Sequence, residues 1–125
     1  MTTPYSTSQP TRAEIDALPG PTLLEFGTDW CGWCRGAQAH IAEALRAHPG
    51  LRHLKVEDGP GRPLGRSFKV KLWPTLILLR DGQEIERLVR PGASAPIAEA
   101  LARLDASGGA QTARSADAPD GRRQG

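Results

Sequence analysis

The stretch Trp30-Cys31-Gly32-Trp33-Cys34 holds both cysteines and two of the three tryptophans, and it marks a change of periodicity in the chain. Before it, Thr22-Leu23-Leu24-Glu25-Phe26-Gly27 is a compact apolar run of strand length, closed by Gly27-Thr28-Asp29. After it, Ala37, Ile41, Ala44 and Leu45 recur at helical spacing. Arg35, Gln38, Glu43 and Arg46 take the opposite face until Pro49-Gly50 ends the pattern. A buried strand leading into an amphipathic helix belongs to an α/β unit, and the C-x-x-C spacing places both sulfurs at the start of that helix.

The flanking segments supply the rest of such a unit. Met1 to Pro10 is polar apart from Tyr5 and is expected to be flexible, or at most a short edge strand. Thr11-Arg12-Ala13-Glu14 fits a capping box ahead of a short helix that stops at Pro19-Gly20. Leu51, His53, Leu54 and Val56 suggest a strand to about Glu57, and Pro63 to Phe68 a short helix. Trp73-Pro74-Thr75-Leu76-Ile77-Leu78-Leu79 reads as a second buried strand, and Asp81-Gly82 turns it into an antiparallel partner through Ile85, Arg87 and Val89. Ser94 caps a last helix to about Leu104, and the chain after Asp105 is expected to be a disordered tail. This order implies a mixed sheet with helices on both faces.

Composition removes several classes of function. The net charge of +2 comes from 16 basic and 14 acidic residues spread along 125 positions, with no basic stripe for nucleic acid. No apolar run approaches membrane-spanning length, and the first ten residues lack a basic start and an apolar h-region. A cytoplasmic protein without a membrane or nucleic-acid partner is expected, and there two cysteines at C-x-x-C spacing are redox-active or metal-binding rather than structural.

Cys31 and Cys34 fall on one face of a first helical turn, roughly 5 to 6 Å apart at Cβ, so a disulfide can form and break with little backbone movement. First-turn amides and the helix dipole favour a thiolate on Cys31, while Cys34 lies a turn deeper. Cys31 would attack a substrate disulfide, and Cys34 would then attack Cys31 to release the reduced substrate. A zinc half-site, or two buried thiols, is the competing reading. Zinc needs four ligands, and His40, His48 and His53 do not cluster with the cysteines in sequence.

Phe26 followed by Trp30-Cys31-Gly32-Trp33-Cys34, then Trp73-Pro74-Thr75 and Asp81-Gly82, resembles the thioredoxin family over about Ala13 to Leu104. The resemblance implies a thioredoxin-like α/β fold of four to five strands at 11–105, between a flexible segment at 1–10 and a tail at 106–125. It implies a cis peptide at Trp73-Pro74 facing the cysteines and a substrate groove built by Trp30, Trp73 and the Pro91-Gly92 loop. Gly32, Trp33 and Pro74 join the same binding set. Glu25 stands where the family has a buried aspartate, so its pKa is expected to rise and to let it pass a proton to and from Cys34. Lys55 resembles the lysine partner of that carboxylate.

The departures are Trp33 for the usual proline of the motif, Trp73 for a smaller residue, Gly27 for a frequent aromatic, and Ala39 for the helix-kinking proline. The function implied is a monomeric thiol-disulfide oxidoreductase that reduces protein disulfides and needs no cofactor beyond its own dithiol. An NADPH-dependent flavin reductase would be the electron donor. A binding or chaperone-like module and a disulfide oxidase or isomerase are the alternatives.

Overall fold

A computed structural model describes residues 3–117. The elements follow one another as α1 (Arg12–Asp16), β1 (Pro21–Gly27), α2 (Gly32–Leu45), β2 (Arg52–Glu57), α3 (Pro63–Ser67), β3 (Thr75–Arg80), β4 (Gln83–Val89) and α4 (Ser94–Asp117). The four strands form one sheet in the order β2-β1-β3-β4, with β1 and β2 parallel and the other two pairs antiparallel. Alternate side chains of a strand point to opposite faces, so β1 feeds two cores. Leu23 joins Ala37, Ile41, Ile97, Leu101 and Leu104 under α2 and α4. Leu24 and Phe26 join Ile15, Leu64 and Phe68 under α1 and α3.

Local chemistry accounts for the boundaries. Thr11 and Glu14 form both halves of the expected capping box. Asp81 and Gly82 have φ of 53° and 81°, the paired positive values of a tight hairpin turn. That turn docks on α1, because a Cβ on Gly82 would run into the Asp16 backbone. Gly82→Ala therefore combines left-handed strain of about 1–2 kcal/mol with a backbone clash. Its urea midpoint is expected to fall by at least that equivalent.

Two expectations give way, and a third settles on the edge-strand side of its two readings. The segment at 1–10 is not free over its described part: Tyr5 is buried, Ser6 bridges Val56, the Ser6 N–H donates to Lys55 O at 2.8 Å, and the Glu57 N–H donates to Ser6 O at 2.9 Å. A single aromatic in a polar segment suffices to hold it once the sheet edge offers both a cavity and a ladder. The strand expected from Trp73 starts at Thr75, because Thr75 Oγ1 donates to Leu72 O at 2.6 Å and closes a turn ahead of it. Finally, α4 continues past Leu104 to Asp117. That stretch lacks apolar periodicity in sequence, but Ala, Gln and Arg are good helix formers. The remainder of the expected tail, 118–125, lies outside the described residues.

Candidate active site

Cys31 is the N-cap of α2, with an extended backbone (φ −78°, ψ 124°), and its Sγ accepts the Cys34 N–H at 3.4 Å. Both cysteines are free thiols and buried, Cys31 at the edge of the surface with 8% exposure and Cys34 with none. Burial pushes the Cys34 thiol up to about 11; the Thr28 backbone and the Tyr5 hydroxyl pull it down, and Cys31 adds to the rise. The first turn of α2 thus presents one thiol at an accessible helix N-terminus and keeps the second protonated beneath it.

The aromatic residues around Cys31 divide into two groups. The Trp73-Pro74 peptide is cis, as the resemblance implies, and Trp73 packs in the cluster formed by Tyr5, Cys31 and Cys34. Trp30 and Trp73 meet edge to face at 5.7 Å, with Trp30 72% exposed. Trp73 Nε1 donates to Asp58 Oδ2 at 2.8 Å, which fixes its ring. Trp33, 61% exposed, carries the Arg90 guanidinium 4.7 Å over its ring. Gly92 belongs with Trp33, not with Trp30 and Trp73: a groove of about 370 Å3 is lined by Gly32, Trp33, His40, Arg90, Pro91 and Gly92. The expected single groove is therefore split, with an indole pair at one part and an apolar trough at the other.

Arg90 gave no signal in sequence, yet it ties these parts together. Its backbone N–H donates to Pro74 O at 2.9 Å and its Nε to Trp73 O at 2.8 Å. The Trp73 carbonyl, next to the cis-proline, therefore already has a donor.

Glu25 is fully buried on β1, and its surroundings differ from the expected ones. Burial by itself would raise its pKa, but hydrogen bonds from His53, Gln38 and Tyr5 outweigh it and hold the carboxyl below its ordinary 4.5. His53 Nε2 lies 2.8 Å from Oε1, Gln38 Nε2 donates to Oε2 at 2.9 Å, and the Tyr5 hydroxyl donates to the same Oε2. The carboxylate is thus ionised at neutral pH, the reverse of the expected shift, because three donors converge on it. Lys55 does not pair with Glu25. Its Nζ donates to Gln38 Oε1 at 2.8 Å and to Thr3 O, over the Tyr5 ring. It acts on Glu25 only through Gln38.

His53 was legible in principle. Glu25 and Lys55 are register partners in the parallel β1–β2 pair, and His53, two residues before Lys55, must share its face. Tyr5 carried no such signal, since nothing in its own neighbourhood places it beside residue 25. Among the described residues no three His, Cys, Asp or Glu side chains gather as a metal site.

A mixed sheet of this order, a dithiol at the N-terminus of α2 and a cis-proline loop against it define the thioredoxin-like class of α/β proteins. The thioredoxin family model matches residues 5–103, and the chain belongs to the thioredoxin family. It is similar to the solved structure of reduced thioredoxin 2 from Pseudomonas aeruginosa PAO1, with 59% identity and a TM-score of 0.76 over 83% of this chain and 96% of that one. Thioredoxin of Chlamydia trachomatis serovar D is 42% identical over 72 residues, 56% of this chain and 69% of that protein. A Thioredoxin H-type of Fagopyrum esculentum is 30% identical over 67 residues, 54% of this chain, and the match spans only 58% of that relative.

Proposed function

We propose that this chain is a thiol-disulfide oxidoreductase that reduces protein disulfides through Cys31 and Cys34. The observation that carries the reading is the asymmetry of the two thiols, with Cys31 at the helix N-terminus and Cys34 buried one turn below, its pKa raised to about 11. Cys31 thiolate attacks a client disulfide and forms a mixed disulfide. Cys34 then attacks Cys31, and the client leaves as a dithiol while Cys31-Cys34 takes the disulfide. The electrons reside in the cysteine pair itself, so no other cofactor enters the cycle. A flavin reductase supplied by NADPH would return the pair to the dithiol, and the site of action is the cytoplasm. No helix among the described residues is long and apolar enough to cross a membrane.

The reduced protein is expected to reduce insulin disulfides, and the Cys31→Ser, Cys34→Ser double variant to be inert. Undiminished reduction by the double variant rejects the reading. The direction is read by equilibrating the pair with glutathione. A potential near −270 mV, the reference value for thioredoxin itself, makes the protein a reductant, and one near −120 mV makes it an oxidase.

A further inference from the structure

The proton on Cys34 must leave before its sulfur can attack, and the structure holds a side chain between that sulfur and the carboxylate that sequence reading paired with it. Tyr5 packs with Cys31 and Cys34 in one cluster, and its hydroxyl donates to Glu25 Oε2. Its backbone N–H donates to Asp29 Oδ1 at 3.0 Å, so the segment is fastened to the loop that enters the active site. Gly27 opens the way. A Cβ there would stand 2.5 Å from Cys34 Sγ and 2.7 Å from the Tyr5 oxygen, so both atoms occupy the space that any other residue would fill. Gly27 carries no side chain into this space, and Tyr5 fills it from the chain's N-terminal segment.

We propose that Tyr5 is the proton relay of the resolving step, joining Cys34 to Glu25. The proposal rests on the dithiol reading above. In that step the Cys34 Sγ proton passes to the Tyr5 oxygen as the Tyr5 hydroxyl proton passes to Glu25 Oε2, leaving the phenol neutral. The Cys34 thiolate attacks Cys31 Sγ, the Cys31–client S–S bond breaks, and the client departs as a thiolate. Glu25 is a way station, because its donors favour the ionised form. His53, on the other carboxylate oxygen and partly exposed, is the exit toward solvent. The charged and titratable groups facing the relay are Glu25 on β1, His53 and Lys55 on β2, Cys31 at the start of α2, Cys34 and Arg35 on α2 and Asp29 in the loop. A cavity of about 490 Å3 lined by Tyr5, Cys34, Gln38 and Lys55 makes water the competing proton acceptor.

Tyr5→Phe separates the two routes, since it keeps the ring and removes only the hydroxyl. Under single-turnover conditions with a limiting aromatic disulfide, 5,5′-dithiobis(2-nitrobenzoate), release of the first thiolate reports attack by Cys31 and release of the second reports attack by Cys34. The first phase is expected to be unchanged. The second is expected to slow about a hundredfold or more, the lower reach of a positioned acid–base group, with its pH midpoint displaced upward. A second phase of unchanged rate and pH midpoint overturns the relay and assigns the proton to water. If Tyr5→Phe does not fold, 3,5-difluorotyrosine at position 5 keeps the ring and its bonds while acidifying the phenol. The second phase must then change rate, and an unchanged one overturns the relay. Absence of the first phase in the wild-type protein instead condemns the dithiol reading itself.

Discussion

Cys34→Ser is expected to arrest the protein as a covalent adduct with its client, while Cys31→Ser forms no adduct and shows no turnover above background. The prediction follows from the depth of the two sulfurs. Cys31 lies at the edge of the surface, between the exposed Trp30 and Trp33 in the chain, and caps α2. Cys34 is fully buried with its thiol held near 11, so an incoming disulfide meets Cys31 first. Removing Cys34 leaves the mixed disulfide without an internal attacker, and it should persist on a non-reducing gel until an external thiol is added. The serine is close in size to the thiol it replaces, so circular dichroism of both variants should match the wild type. Catalytic turnover by Cys34→Ser without added thiol would contradict the assigned order of attack.

Glu25→Ala is expected to destabilise the protein by about 1–3 kcal/mol for each buried donor that it strands, because a donor left without its acceptor keeps the full desolvation cost. His53, Gln38 and Tyr5 each lose an acceptor, and Lys55 loses the arrangement of Gln38 on which it depends. Glu25→Gln keeps the shape and should lose less, which separates the charge from the packing. The same carboxyl sets the acid limb of stability. Its pKa is below 4.5 in the folded protein, so the folded state binds fewer protons than the unfolded chain in that range. Its contribution is therefore complete above pH 4.5 and is lost as pH falls through the depressed folded value. Urea midpoints taken from neutral pH downward should fall in that window for the wild type and much less for Glu25→Gln. A wild-type limb no steeper than that of the variant would place the ionised carboxylate in doubt.

The sheet edges show how outer strands are kept from further pairing. On β4, Glu84 and Glu86 are held by Arg87 and Arg103 at 2.6–2.9 Å, and these charges blunt an edge on which Val89 and Ile85 are exposed. On β2 the edge is met by the Ser6 bridge, and the same contact delivers Tyr5 to the active site. Packing of the N-terminal segment and tuning of the dithiol are thus one structural event.

Features encoded by short-range pattern were readable from the residues alone. Leu23, Leu24 and Phe26 announced a buried strand, Ala37, Ile41 and Ala44 a helix face, Thr11 with Glu14 a cap and Asp81-Gly82 a turn, because each signal lies within one element. Cys31 and Cys34 were legible for the same reason, since three residues of helix fix their separation. Tertiary structure decided the rest. Which donors meet Glu25, and hence whether its pKa rises or falls, depends on His53, Gln38 and Tyr5 arriving from three different segments. Lys55 was drawn to Gln38 and the Thr3 carbonyl instead of the carboxylate, and Arg90 was carried to Pro74 and Trp73 by the path of the chain beyond β4. Burial cost can be guessed from a residue's neighbours in sequence, but the hydrogen bonds that offset it belong to neighbours in space.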